Sequence, residues 1–576
     1  MKTIIAFLLA GLMLTGCASN TVTEVTTVAS TEAATEATSA AEPASVASEI
    51  AVDSSAGAEY VSRFSSVTAI TLSDSGITVD GGEETDTVYT SHDIVYYQDR
   101  DTYDSGNPYG EGTDADKHTA EEADTHTVVN ITAPGAYRIS GKLSAGQIRV
   151  DLGSDAYENP DAVVELILDD ADITCTVAPA IVFLNTYECD GNWSTDTASP
   201  DVDTSNAGAN LILEGKNTVS GSYVARIYKD ADGEKKLWKQ DGAIYSYMSL
   251  NVYGPGSLDL TADNEGLDTE LHLTIQGGEI AIRSGNDGIN TNEDGVSVTT
   301  INGGSVHIIA GLGAEGDGID SNGYLVINGG TVVSTGNPAS DAGLDSDLGS
   351  YINGGTVIAL GSTMDWAESD SEQVTMNLQF ASYQSSGSAI VVTKQDGTII
   401  FAYDPSEDEV LGENIRQYMG AVISCPAFTQ GETYSVFLDG TVTGEETGGV
   451  YTSVTAYDGG TQMQYTGTDV GRGGRGMGGQ RPDGEMPEDF RGEKGKDFTL
   501  PEGETMPEGG FGGRGRGDAP PEGGEKPERR DGETFSGAGD PSQNSPGSQA
   551  ASTEFYMTDK VNAFSGVSAA QTPDDN

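Results

Sequence analysis

Gly318-Ile319-Asp320-Ser321-Asn322-Gly323-Tyr324-Leu325-Val326-Ile327-Asn328-Gly329-Gly330-Thr331-Val332-Val333 is one copy of a motif that the chain repeats. Each copy has a Gly–aliphatic–Asp/Asn–Ser/Thr element, an aliphatic-x-Gly-Gly turn and a short β-type run. The first element recurs as Gly266-Leu267-Asp268-Thr269, Gly288-Ile289-Asn290-Thr291 and Gly343-Leu344-Asp345-Ser346. The turn recurs as Ile275-Gln276-Gly277-Gly278, Ile301-Asn302-Gly303-Gly304 and Ile352-Asn353-Gly354-Gly355, at spacings of 26, 26 and 25 residues. A constant period of this size means one coil per repeat. Glycine density and β-branched alternation, as in Ser305-Val306-His307-Ile308, exclude helical repeats. Equivalent residues then stack at about 4.8 Å, the spacing between strands. The expected fold is all-β: a right-handed parallel β-helix, or solenoid. Leu267, Ile289, Ile319 and Leu344 form its inward column, and Asn302, Asn328 and Asn353 stack at the turns.

A degenerate copy, Gly242-Ala243-Ile244-Tyr245-Ser246 with Val252-Tyr253-Gly254-Pro255-Gly256, precedes these four. Strand-like runs at Ala136–Gly141, Ala162–Leu168 and Asn210–Leu213 extend the β-helix over residues 128–365, behind a lead-in at 59–127. Tyr223 to Lys239 interrupts the pattern and reads as an excursion from the stack. After Gly361 the period stops. Ala389-Ile390-Val391-Val392 and Thr398-Ile399-Ile400-Phe401, around Asp396-Gly397, read as a hairpin within a β cap at 366–466. Residues 18–58, rich in Ser, Thr, Ala, Val and Glu, read as a disordered tether, and the Gly/Pro/Arg/Glu-rich residues 467–576 as a disordered tail.

At the N-terminus, Lys2 precedes an apolar run from Ile4 to Leu14, only 11 residues long. That is too short to span a bilayer and suits a signal peptide. It closes on Leu14-Thr15-Gly16-Cys17, which resembles the bacterial lipobox. The resemblance implies acylation of Cys17 and a mature chain held by lipid on the outer face of the cell membrane. Of the other three cysteines, Cys175 and Cys189 could pair, leaving Cys425 over. The chain carries 91 Asp+Glu against 28 Lys+Arg, a net charge of −63, which makes nucleic acid a poor partner.

Several segments together resemble a known family. They are Pro134-Gly135-Ala136-Tyr137-Arg138-Ile139-Ser140-Gly141-Lys142-Leu143, Gln147-Ile148-Arg149-Val150, Asp241-Gly242-Ala243-Ile244, the four repeats and Gly431-Glu432-Thr433-Tyr434-Ser435-Val436. The family is the clostridial carbohydrate-binding β-helix proteins, of pectate-lyase-like architecture. The resemblance covers roughly residues 128 to 440. It implies calcium in the coils and binding of acidic polysaccharide such as polygalacturonate, without established catalysis.

The residues support that chemistry independently. With Leu267 and Thr269 inward, Asp268 and Glu270 point outward. Asp268, Asn290, Asp320 and Asp345 then form one column, and Glu270, Asn292, Asn322 and Asp347 a second. Glu265, Asp287 and Asp317 precede the glycines, with Asp341 nearby in the fourth coil. All are oxygen donors, and Ca²⁺ takes roughly 6–8 oxygens. The candidate metal ligands are Glu265, Asp268, Asp287, Asn290, Asp317, Asp320, Asp341, Asp345 and Asp347. The alternative is a solvated acidic edge. A calcium-dependent lyase would need a base beside the bound uronate. Arg283 is the one Lys or Arg between Asp241 and Gly361. It is a candidate base, or a partner of Asp287 or another carboxylate. Neutral glycans would need exposed aromatics, for which Tyr324, Tyr351 and Trp366 are candidates. A lyase and a surface rod or adhesin are the alternatives to a binding protein.

Overall fold

The computed structural model describes residues 48–53, 60–97, 116–191, 194–225, 227–229, 235–237, 239–362, 365–468 and 551–571. The chain divides into Met1–Pro43, which lies outside the described residues, and Ala44–Asn576. Cys17 with its leader, most of the tether and most of the tail also fall outside them.

The described protein is all-β, with a single α-helix of four residues, Ala120–Ala123, closed by a capping box between Thr119 and Glu122. Three ladders of parallel strands carry the repeats, and each repeat contributes one strand to each ladder. The first ladder holds Gly242–Ser246, Glu265–Thr269, Ile289–Thr291, Ile319–Ser321 and Leu344–Ser346. The second holds Leu250–Tyr253, Leu273–Ile275, Val298–Ile301, Tyr324–Ile327 and Gly349–Ile352. The third holds Ser257–Ala262, Glu279–Ser284, Ser305–Ile309, Thr331–Thr335 and Thr356–Gly361. Upstream, the first ladder continues through Ile181–Asn185 and Gly146–Asp151 to Thr127–Ile131. Val67–Leu72, from the lead-in, joins Gly135–Leu143 in parallel, so ladder pairing begins before residue 128.

Register follows the motif. Leu267, Ile289, Ile319 and Leu344 pair in succession and all lie in one continuous buried core. Burying each such side chain stabilises the fold by roughly 1.5–3 kcal/mol. The Gly-Gly turns have a steric cause. Gly278, Gly304, Gly330 and Gly355 sit at φ +105°, +86°, +82° and +89°, where a side chain is strained. A Cβ on Gly330 would also lie 2.5 Å from the Gly304 carbonyl oxygen in the coil before. Beside these turns Asn328 Nδ2 donates to Asn302 Oδ1 at 2.8 Å, and Asn353 Nδ2 to Asn328 Oδ1 at 2.9 Å.

The stack ends where Thr356–Gly361 pairs antiparallel with Tyr418–Ser424 instead of with another coil. The hairpin expected around Asp396-Gly397 is present as Ile390–Lys394 and Ile399–Tyr403, in a second core with Phe401, Tyr403 and Tyr434. Two boundaries need correction. The tail is not structureless throughout: Val561–Ala569 pairs parallel with Thr375–Gln384, and Phe555–Tyr556 pairs with Thr433–Leu438. Phe555, Met557, Phe564 and Val567 are buried there, an apolar pattern masked by the Gly/Arg-rich composition before it. The stretch read as tether is likewise paired at its described residues, 48–53. Ser48–Glu49 pairs with Val450–Asp458, Ile50 is buried, and Asp53 donates its N–H to Thr356 Oγ1 at 2.9 Å.

Candidate acidic cation site on the first ladder

The column Asp268, Asn290, Asp320 and Asp345 forms in strict register along the first ladder. Its surroundings change along its length. Glu265, Asp268, Asp287 and Asn290 are buried, Asp317, Asp320, Asp341 and Asp345 are half-buried, and Asp347 is exposed. Asp268 and Glu270 were expected to face solvent. They are buried instead, at 0 % and 4 % exposure. Their cover includes Tyr245, one coil earlier in register with Asp268, whose hydroxyl donates to Glu270 Oε1.

Asp241, Glu265 and Asp268 converge, each offering a carboxylate oxygen within 4.8 Å of the others. Asp241 did not stand out as a ligand in the sequence, because it precedes the repeat motif and belongs to the degenerate copy. Among the described residues, Glu265 Oε2, Asp268 Oδ2, Glu270 Oε2 and Asn290 Oδ1 are buried and accept no hydrogen bond. The other Asp268 oxygen accepts from Asn292 Nδ2 at 2.6 Å. Buried acceptors without donors are costly. Burial and the Asp241 charge push the Glu265 carboxyl up to about 7. Burial pushes Glu270 up to about 8, with the Asp241 and Glu293 charges adding to it. Asp268 is driven well above the usual carboxylate range by burial and by Glu265, Asp241 and Glu270. The donor set Asp241, Glu265 and Asp268, entirely oxygen, suits a hard divalent cation, which would offset their mutual repulsion.

The remaining acids form a different arrangement. Asp287 Oδ1 accepts the Asp317 N–H and Asp317 Oδ1 accepts the Ala342 N–H, each at 2.6 Å, while Asp341 Oδ2 accepts from Gly316 N at 2.8 Å. Each carboxylate therefore caps backbone of a neighbouring coil. Burial raises Asp287 and Asp317 well above their ordinary values, Asp287 with Asp320, Glu265 and Asp317, and Asp317 with Asp345 and Asp320.

Arg283 is not at this site. It lies on the third ladder, where its guanidinium donates to Asp259 Oδ1 at 2.5 Å and to the Val410 carbonyl at 3.2 Å. Of the carboxylates open to it, Arg283 takes Asp259 and not Asp287, because residues 259 and 283 lie on adjacent, paired strands of the third ladder. Among the described residues, a cation that reaches the acids is Lys239, whose ammonium pairs with Asp241. At 12 % exposure it is not presented to a polymer. His272 and His307 are strand or strand-edge residues with packing partners. His272 Nδ1 accepts from Val298 N at 3.1 Å, so Nε2 donates to Asp190 Oδ2 at 3.0 Å and pins the 186–206 loop. Thr204 of that loop bonds Asn251 and Thr274 on the second ladder. Cys175, Cys189 and Cys425 are all free thiols. Tyr324 and Tyr351 are half-buried on adjacent coils, with ring centroids 6.1 Å apart.

Residues 125–404 match the model of a family described as carbohydrate-binding domain-containing protein. That span contains every acidic residue of the first-ladder site. A carbohydrate-binding domain-containing protein of Acetivibrio thermocellus is 29 % identical over 176 residues, which are 30 % of this chain and 51 % of the relative. The match thus spans about half the relative's length. Among solved structures, a gadolinium derivative of the polysaccharide lyase-like protein from C. thermocellum aligns at 20 % identity with a TM-score of 0.27. The alignment covers 50 % of this chain and 92 % of that one.

Proposed function

We propose that the chain is an exported, lipid-anchored protein that binds acidic polysaccharide with calcium. In this reading the three ladders are the faces of a right-handed parallel β-helix, the hand taken by nearly all parallel crossover connections. Asp241, Glu265 and Asp268 hold calcium, with Asn290 in register beside Asp268. The half-buried acids Asp317, Asp320, Asp341 and Asp345 offer further oxygens toward solvent, where a cation can bridge protein and uronate carboxylates. Cys17 carries the lipid.

The observation that carries the reading is the buried, all-oxygen cluster with orphaned acceptors, inside the span that matches carbohydrate-binding proteins. A net charge of −63 makes a cation the natural mediator for an anionic polymer. Affinity electrophoresis in polygalacturonate gels, with calcium and with chelator, tests it. Retardation should appear with calcium and vanish with chelator. Equal mobility in both gels removes the calcium-bridged binding. Anchoring is tested separately: Cys17→Ser should move the protein out of the membrane fraction, and unchanged fractionation refutes the lipid.

A further inference from the structure

The segment that interrupts the repeats delivers a positive charge to the acidic cluster. Its strands Ile227–Lys229 and Lys235–Leu237 form an antiparallel hairpin. The root of that hairpin is fixed: Val224 N donates to the Gln240 carbonyl at 2.8 Å and Gln240 N to the Val224 carbonyl at 3.0 Å. Tyr223 adds a second tie, its hydroxyl donating to Asp116 Oδ1 at 2.5 Å. Lys239 therefore lies between a clamped Gln240 and the hairpin, immediately before the strand Gly242–Ser246 of the first ladder. Its ammonium pairs with Asp241, and the two side chains are only 12 % and 8 % exposed. From Gln240 to Gly361 the sequence has one other Lys or Arg, and that residue, Arg283, is occupied on the third ladder. Among the described side chains, Lys239 is the ammonium whose charge acts on Asp241, Glu265, Asp268 and Glu270.

We infer that Lys239 is a built-in counter-ion of the acidic cluster that competes with a divalent cation for Asp241. The inference rests on the calcium reading given above and adds its regulation. A cation entering the cluster must take the Asp241 oxygen from the ammonium. The hairpin sets the affinity of the site through how firmly it holds Lys239 in place. In the cation-free protein the ammonium offsets part of the carboxylate repulsion, so the fold does not depend on metal alone.

Calcium titration calorimetry on chelator-stripped full chain, at fixed ionic strength, tests this with Lys239→Met and Lys239→Arg beside the wild type. Lys239→Met should bind calcium about tenfold more tightly or better. Its melting temperature in chelator should fall below that of the wild type, and calcium should close the gap. Lys239→Arg keeps the charge and should stay within about threefold of wild-type affinity. If Lys239→Met binds calcium no more tightly than the wild type, Lys239 is only an ion-pair partner of Asp241 and the calcium reading stands. A tenfold gain in Lys239→Arg equally overturns the competition. If none of the three proteins takes up calcium, the calcium reading itself falls, and the inference with it.

Discussion

Asp268 and Asp345 occupy the same column of the first ladder, separated by Asn290 and Asp320. Asp268 is buried among Glu265, Asp241 and Glu270 and has an oxygen that accepts no hydrogen bond among the described residues. Asp345 is half-buried, in the coil next to the cap. The motif around them is the same, Gly–Leu–Asp–Ser/Thr. What differs is the neighbour: the repeat before Asp268 supplies Tyr245 and Asp241, with Lys239 beside the clamped Gln240. A repeat therefore sets where a carboxylate stands, and the non-repeating segment beside it sets how that carboxylate behaves.

The strongest way to break the comparison is at the boundary. Ile289 lies fully buried behind Asn290, between the buried and half-buried parts of the column. Ile289→Ala should cost about 2–5 kcal/mol. Chemical denaturation measures the loss, and hydrogen exchange should show weakened protection in the coils on both sides. A loss below about 1 kcal/mol would mean that the coils do not share one core.

A pH series separates the two parts next. The carboxyls of Glu265 and Glu270 ionise near 4.5 in the unfolded chain and are raised to about 7 and about 8 in the fold. The folded state then holds protons that the unfolded chain releases, so stability falls as pH rises from about 4.5 to about 8. In chelator the melting temperature should drop between pH 5 and pH 8. Calcium should cancel most of that drop, because metal binding requires the ionised form. A flat profile in chelator refutes the buried charge cluster.

Asp268→Asn against Asp345→Asn is the direct contrast. Asp268→Asn removes an acid whose ionised form its neighbours repel, and keeps an oxygen for Asn292. It should hold or raise the melting temperature in chelator and abolish most of the calcium-induced gain. Asp345→Asn should change the unfolding free energy by less than about 0.5 kcal/mol, in chelator and in calcium alike. Equal effects would mean that the column acts as one uniform ladder. A small effect confined to stability is expected for Asn328→Ala in the turn column, whose two amide bonds are exposed. It should cost about 0.5–1.5 kcal/mol, measurable by urea denaturation, and leave calcium uptake unchanged.

The sequence displayed the columns because register in a parallel stack is set by period alone. Ile289 opposite Leu267, Asn290 opposite Asp268 and Asn328 beside Asn302 could all be read from spacing. Burial could not be read that way. Whether Asp268 meets water depends on a segment that leaves the stack and returns, and Lys239 and Asp241 lie where the period is interrupted. That Arg283 would pair with a carboxylate could be read from the sequence; that the carboxylate is Asp259 could not, because strand assignment within a repeat is finer than the period shows. The strand Val561–Ala569 was hidden for another reason: its partner Thr375–Gln384 is distant in sequence, and no local pattern links them.

That last pairing has a consequence for the order of folding. Within the parallel ladders each repeat pairs with the repeats on either side, so the ladders can grow as the chain is made, each new repeat using the previous one as its template. The cap cannot be completed so early. Asn377 donates its side-chain amide to the Asn562 carbonyl across 185 residues of chain, and Phe564 and Val567 fill the cap core. Closing so long a loop is slow compared with adding a neighbouring coil. The stack can thus form while its capped end is still an open template, and the interval before Val561–Ala569 arrives is when the chain is most exposed to pairing with a second copy of itself.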